Sequence, residues 1–465
     1  MAQPLSTPGS YAAHLRSTLL LSIPVMVGQL GHVLMGFVDN LMIGRLGYVY
    51  LSAASLANGV FFIQTVIGMG MTYALAPMIA EAVGAGKPRR AGLIFDQGVW
   101  ASLVVGSLLT LLVYGSASLL PLLGQPVEDV ALADDYLRII SLSVLPMMLF
   151  MAGKQMADGH ALTLPAMVIT LIGLAFNVVA NWLLIYGVGV FPRLELNGAG
   201  YATLLSRILM MVLMLGYLMW SRRFRIYGIL RRALAWHPGL FRRVLALGLP
   251  SGFQYFFEVG AFIGAVVMIG WMDNGSLNRA AHQIAIQLAS LTYMVVTGIS
   301  AAAAIRVGEA LGRRQGIELR RAGMSGILLG LAFMLVSALV FLVARRTLVS
   351  WFTTDAAVVE IAVGLMLLAA AFQLFDGVQA VGVGILRGMQ DVRIPTLITF
   401  VVYWVLALPV GYLLAFPLGL GLDGIWYSFV GCLGLAALLL SWRFWRLTGR
   451  MMQHAPASSG VAVSA

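Results

Sequence analysis

The sequence predicts an all-α integral membrane protein, with about twelve transmembrane helices in two pseudo-symmetric six-helix bundles. Three observations carry this prediction. Hydrophobic residues make up 60% of the 465 and charged residues only 10%, whereas soluble domains carry about a quarter charged residues. Apolar runs of about 20 residues, the length that crosses a bilayer, recur along the whole chain. The second half also weakly repeats the first.

The spans are expected to begin near Leu15, Leu51, Ala91, Asp135, Leu162 and Gly198 in the first half. Those of the second half begin near Arg243, Ala280, Ala322, Glu360, Pro395 and Gly424. The first run has no A-x-A cleavage signature and is followed by many more, so it reads as a retained helix. Leu and Met richness with dispersed Gly favours helices over a membrane barrel, which shows short alternating strands.

Connections alternate in charge. One set is basic: Lys87, Arg89 and Arg90; Lys154; the run from Arg222 to Arg243; Arg306, Arg313, Arg314, Arg320 and Arg321; Arg387 and Arg393. The other is sparse, with Arg45, Arg138, Arg193, Arg279, Arg345 and Arg346. The positive-inside rule places the basic set and both termini in the cytoplasm, and an even number of spans agrees with that. The net charge of +11 therefore reads as topology and lipid contact, not nucleic-acid binding. A bacterial inner membrane and a monomer among lipids are the expected setting. The single cysteine, Cys432, excludes an intramolecular disulfide and a cysteine metal cage.

An Arg-rich segment divides the chain. The expected parts are a cytoplasmic segment 1–14, a first lobe 15–220, a linker 221–242, a second lobe 243–447 and a flexible tail 448–465. Ile23–Pro24 answers Leu249–Pro250, Met42–Gly44 answers Met268–Gly270, and AEAVGAGKPRRA resembles GEALGRRQGIELRRA. Pro165 answers Pro395, and NGAG at Asn197 parallels DGIW at Asp423. The offset stays at about 226–230 residues, so six spans separate the copies and equivalent helices point the same way. Such a parallel repeat suits two lobes that rock about a central cavity.

Three carboxylates inside apolar runs, Asp39, Glu258 and Asp376, break the repeat and point to function. A charge near mid-bilayer costs at least ~2.5–3.5 kcal/mol, so such residues face a bundle interior or a wet cavity. The amides of Asn177 and Asn181 lie at i and i+4 on one helix face, Thr203 supplies a hydroxyl on the next span, and both strengthen the case for Asp39, although chain spacing alone does not bring the four together. One carboxylate, two amide oxygens and a hydroxyl suit a hard cation such as Na⁺. The competing reading is interhelical hydrogen bonding as packing glue. Glu258 follows Pro250 among Tyr255, Phe256 and Phe257; Asp376 lies between Gln373 and Gln379. A proton or a cation must neutralise each carboxylate there, so the two can compete, which is the physical basis of an antiporter. The aromatic neighbours offer faces to organic cations.

Candidate cavity residues are Tyr255, His282, Gln283, Gln287, Phe372, Gln379 and Tyr403. Met and Phe stripes are expected to be core or lipid-facing surface. Arg306, Glu81, Glu309 and Arg387 are expected to snorkel or pair near helix ends. No nucleophile elbow, phosphate loop or convergent His/Cys/carboxylate motif marks an enzyme, and no cofactor is called for beyond a coupling ion, Na⁺ or H⁺.

Taken together, MGFVDNLMIGRLG, LPAMVITLIGLAFNVVANWLLIYG, FFEVGAF, AAHQIAIQLASL, ISAAAAIRVGEALG, GILRGMQD and YWVLALPVGY resemble the multidrug and toxic compound extrusion (MATE) transporters, within them the NorM-type branch. The resemblance covers about Leu19 to Trp445. It implies two six-helix lobes and export of amphipathic, often cationic drugs, driven by inward Na⁺ or H⁺. It also implies coupling roles for Glu258 and Asp376 in the second lobe, and for Asp39, Asn177, Asn181 and Thr203 in the first. Some sodium-coupled members have a tyrosine one turn before the tenth-helix aspartate, where this chain has Phe372; that departure leaves the coupling ion open. The alternative is a flippase for lipid-linked or polysaccharide substrates on a related scaffold. Such phosphate-bearing substrates favour a cationic cavity, whereas the deep charges here are acidic.

Overall fold

The computed structural model describes residues 10–124, 126–228 and 235–453. Residues 454–465 of the expected tail, the start of the N-terminal segment and Arg231 and Arg232 of the linker lie outside the described residues, while residues 448–453 of that tail are helical. Among the described residues, twelve helices are long and apolar enough to cross a membrane. In the first half they are α1 (Tyr11–Gly44), α2 (Tyr48–Gly84), α3 (Pro88–Ala117), α4 (Val127–Gly159), α5 (Leu164–Tyr186) and α6 (Glu195–Trp220). In the second half they are α7 (Pro238–Gly270), α8 (Gly275–Gly312), α9 (Gly316–Ser350), α10 (Ala356–Gly388), α11 (Arg393–Ala415) and α12 (Gly421–Gln453).

Several of these helices outrun the apolar stretch that announces them. Arg242 and Arg243 belong to the first turns of α7, and Asp134 and Arg138 pair at 2.7 Å inside α4. Lys154 corrects the expectation of a basic loop. It is buried within α4, its Nζ donating to Asp158 Oδ2 at 2.6 Å. A lysine paired at i,i+4 is retained inside a helix that composition alone cuts short.

Proline explains where the helices depart from regular winding, because its ring crowds the carbonyl four residues back and it donates no hydrogen bond. The break in α2 at Tyr73–Ala74 precedes Pro77, and that in α4 at Leu142–Ser143 precedes Pro146. In α11 the winding widens to i→i+5 over Val401–Ala407, just before Pro409. Each lies on or beside the carbonyl that the proline displaces.

The first six helices pack as one bundle and the last six as another. The bundles meet through reciprocal contacts: α2 on α7, α8 on α1, and α2 against α8 between them. Equivalent helices thus exchange equivalent contacts, as a parallel repeat requires. The seam lies toward the basic-loop end and is built from small residues. Leu21, Ala76, Ala80, Ala302 and Ile305 form a buried cluster across it. A Cβ at Gly308 would meet the Pro77 carbonyl oxygen at 2.7 Å, and one at Gly84 or Gly312 would collide with the backbone of Glu309 or Glu81. Close approach of two helix backbones needs such glycines. Polar contacts add to the seam. Arg306 of α8 donates to the His14 carbonyl at 2.6 Å, and Gln390 Nε2 to Glu81 Oε2 at 3.1 Å. Leu108, Leu111, Val336, Leu339 and Val343 are exposed on the outward faces of α3 and α9, where hydrocarbon replaces water.

Gly308→Val should therefore cost about 1–3 kcal/mol of overpacking. The expected readout is a lower midpoint of thermal unfolding for the purified protein in detergent; an unchanged midpoint contradicts the tight seam.

Candidate functional site

On the other side of the seam, between the halves, lies a cavity of about 770 Å³. Its position follows from the packing. The basic-loop ends of α2 and α8 touch, while the ends near Asp39 and His282 diverge. Helices from both halves supply the walls, and all three deep carboxylates line it: Asp39, Glu258 and Asp376. The rest of the lining is largely aromatic and Met, including Phe61, Phe150, Phe262, Met69, Met151 and Met294. Several residues expected to be core or lipid-facing are thus cavity wall.

The first-half cluster is built as the i,i+4 spacing on α5 requires. Asn181 Nδ2 donates to Asp39 Oδ1 at 2.5 Å and to Asn177 Oδ1 at 3.1 Å; Thr203 Oγ1 donates to Asp39 Oδ2 at 3.1 Å. The four expected residues come together from α1, α5 and α6. Asn177 and Asn181 are fully enclosed, while Asp39 and Thr203 reach the cavity. Asn177 Nδ2 and Asn181 Oδ1 have no hydrogen-bond partner among the described residues.

In the second half, Glu258 Oε1 accepts from the Tyr293 hydroxyl at 3.1 Å. Asp376, 4% exposed, lies one helix away on α10 and faces the same space. Phe372 lines the cavity one turn before Asp376 and packs against Phe262 and Trp426. A tyrosine hydroxyl is absent there, as the sequence indicates. Tyr255, His282 and Gln283 line the cavity as expected. Gln379 and Tyr403 do not. Gln379 borders a small enclosed pocket behind Glu258, and the buried Tyr403 hydroxyl donates to Gln379 Oε1 at 3.4 Å. Gln287 is exposed but is not part of the wall. The stripe of α8 that faces the cavity runs through His282, Ile286, Ala289, Tyr293 and Thr297, and Gln287 falls beside it.

Sequence reasoning left several wall residues without a role, Arg207 and Tyr293 among them. Arg207 on α6 donates to Ser143 Oγ at 2.6 Å and lies 5.1 Å over the Phe61 ring. Its signal was available, since an arginine inside a span raises the same question as a carboxylate. Tyr293 had none, because one tyrosine among apolar residues looks like packing. Two expected helix-end residues also differ. Arg306 is buried and crosses between the halves. Arg387, 7% exposed, turns inward and does not snorkel.

A cavity that is apolar over most of its wall, with carboxylates at separate points and no convergent metal-ligand cluster of His, Cys and carboxylates among the described residues, can hold amphipathic cations. The MatE family profile matches residues 24–183 and 250–413, one block in each half. A probable multidrug resistance protein NorM from Rhizobium meliloti (strain 1021) is 34% identical over 457 residues, covering 97% of each chain. A second probable NorM, from Rhodopseudomonas palustris, is 35% identical over 453 residues, covering 97% of this chain and 95% of that one. Among solved structures, an outward-facing multidrug resistance MATE family transporter of the MOP superfamily superposes with a TM-score of 0.85 at 21% identity, covering 96% of this chain and 99% of that one. A MOP superfamily transporter from Pyrococcus furiosus superposes with a TM-score of 0.87, also at 21% identity, covering 96% of this chain and 97% of that one.

The first-half cluster carries its own prediction. Asn181→Leu leaves Asp39 Oδ1 without its donor, an omission that costs about 1–3 kcal/mol for a buried group. The thermal midpoint should fall, and Asp39→Leu made together with Asn181→Leu should recover part of the loss. Equal losses in the single and double variants contradict a direct Asp39–Asn181 interaction.

Proposed function

This chain belongs to the MatE family and is a multi-pass multidrug efflux transporter, and we propose that it is a cation-coupled antiporter that exports amphipathic organic cations from the bacterial cytoplasm. The observation that carries this reading is the placement of Asp39, Glu258 and Asp376 on one largely apolar cavity between two six-helix bundles. The basic loops face the cytoplasm in the inner membrane, so the packed seam is the cytoplasmic closure and the cavity opens outward.

The cycle follows from charge. In the outward-open arrangement Na⁺ or H⁺ reaches the carboxylates from outside and neutralises them. The drug's cationic group then loses its counter-charge, and the apolar wall alone holds it less tightly. Release follows, the halves rock, and the cavity reloads from the cytoplasm while the ion leaves. The ion and the drug exchange because both require the same negative charge.

Two coupling regions divide the work. Glu258 and Asp376 face the drug, with Tyr293 orienting Glu258. At Asp39, the surrounding groups suit either Na⁺ or H⁺. In the arrangement described, Asn181 Nδ2 donates to Asp39 and to Asn177 Oδ1, which suits a carboxylate without a metal ion. Turning that amide end for end would present Oδ1, which now has no donor, and with the Asp39 carboxylate, Asn177 Oδ1 and Thr203 Oγ1 it would give a hard cation oxygen from four residues. A proton on Asp39 would instead neutralise it without a metal ion and add an O–H donor to a cluster in which Asn181 Oδ1 has none.

In proteoliposomes with Na⁺ and H⁺ gradients imposed separately, Asp39→Asn, Glu258→Gln and Asp376→Asn should each reduce coupled efflux of a fluorescent organic cation. Thr203→Val should instead shift the ion concentration for half-maximal rate upward by about 10–100-fold if Na⁺ binds at Asp39, the scale of losing a group that supports a metal ligand. Unchanged coupled efflux in all three carboxylate variants refutes the mechanism.

A further inference from the structure

Among the described residues, Arg207 is the one lysine or arginine on the wall of the main cavity. It lies at the middle of α6, about 18 Å from either end at 1.5 Å per residue, and so near mid-membrane. A guanidinium does not give up its proton in proteins. At that depth its charge is costly and needs an opposite charge or a wet cavity.

Asp39 is the carboxylate whose charge reaches Arg207, yet the two form no direct ion pair. Both oxygens of Asp39 already hold donors, Oδ1 from Asn181 and Oδ2 from Thr203. Two other contacts fix the arginine. Nη1 donates to Ser143 Oγ at 2.6 Å, at the break in α4 that precedes Pro146, and the guanidinium carbon lies 5.1 Å from the Phe61 ring centroid. Those contacts engage one nitrogen and one face. Nε and Nη2 make no hydrogen bond among the described residues, and neither is sealed inside the protein, unlike the same two atoms of Arg387. Nε and Nη2 form the side-on edge of the guanidinium. That edge presents two parallel N–H groups, which match the two oxygens of a carboxylate.

The rest of the wall selects the molecule that brings this carboxylate. One guanidinium against Asp39, Glu258 and Asp376 leaves the cavity acidic, so a simple anion is repelled. Arg207 belongs to the first half, whereas Glu258 and Asp376 belong to the second. A molecule that carries both charges satisfies both walls. A cavity of about 770 Å³ accommodates one drug-sized body among its aromatic and Met side chains.

We propose that Arg207 is the anion-recognising residue of the drug cavity and takes the carboxylate of zwitterionic substrates whose cationic group is held by Glu258 and Asp376. This assignment rests on the reading of the cavity as the drug site. Its consequence is discrimination between an acid and its ester. The acid is held at both ends, while the ester is held at one and meets an unanswered positive charge at the other. Asp39 tunes the preference, because its own charge competes with the substrate's for Arg207.

The test uses a rhodamine that bears a free benzoate and the methyl ester of the same dye. Equilibrium dialysis against the full chain in nanodiscs, with empty nanodiscs as the blank, gives a Kd for each. Arg207→Gln should weaken the acid by about tenfold or more, the scale of losing one charge-assisted hydrogen bond. The same variant should tighten the ester, and shifts of opposite sign exclude a general loss of structure. Arg207→Lys keeps the charge without the fork, so both dyes should fall between the unmodified chain and Arg207→Gln. Asp39→Asn should move the preference toward the acid. Equal shifts of both dyes in Arg207→Gln, or an acid bound no more weakly by that variant than by the unmodified chain, overturns the assignment. The drug-site reading has its own arm. Glu258→Gln with Asp376→Asn should weaken the ester, and an ester indifferent to that pair contradicts the drug site whatever Arg207 does.

Discussion

A carboxylate inside a membrane protein must have a counter-charge, a proton or water, and this chain meets that constraint three times without a fixed ion pair. Asp39 is held by the neutral donors Asn181 and Thr203, Glu258 by Tyr293, and Asp376 by the cavity that it faces. The contrast with Asp158, paired at 2.6 Å to Lys154, is instructive. That carboxylate is neutralised permanently and lies at the seam. The other three make no direct ion pair among the described residues, and they are the ones that face whatever enters the cavity. Leaving a charge uncompensated is costly in such surroundings, and the cost makes the site responsive to a passing ion or drug.

The scaffold serves this arrangement by making one side tight and the other open. Small residues on α2 and α8 bring the helix backbones together at the basic-loop end, and proline breaks in α2 and α4 redirect the chain where the halves begin to part. The reciprocal contacts, α2 with α7 and α8 with α1, suit the rocking of the halves proposed above. Polar groups at the seam, Arg306 with His14 and Gln390 with Glu81, are few enough to exchange for water.

Much of this was legible in the sequence because bilayer physics is strict. Spans of about twenty apolar residues, alternating basic loops and a repeated offset each have a single cause, and the helices follow them. The cluster of Asp39, Asn177, Asn181 and Thr203 was readable from an i,i+4 pair of amides, since polar groups in an apolar span need partners. Other features were hidden for equally physical reasons. Lys154 looked like loop because its partner, Asp158, sits four residues on and only a helix brings them together. Gln287 and Tyr403 differ from the true wall residues by rotation about a helix axis, which composition does not give. Arg387 resembled an ordinary helix-end arginine until the opposite bundle closed over it. Contacts between halves depend on how two rigid bodies dock, and no local pattern encodes that.

Proton counting during drug binding tests most directly whether ion and drug compete for the same negative charge. An organic cation is added to the purified transporter in weakly buffered detergent solution, with and without sodium, and released protons are measured alongside binding. Competition predicts that binding expels protons in the absence of sodium, that sodium weakens the affinity, or both, and that Glu258→Gln with Asp376→Asn abolishes the effect. Tight binding with no proton release and no dependence on sodium in the unmodified protein would contradict the account.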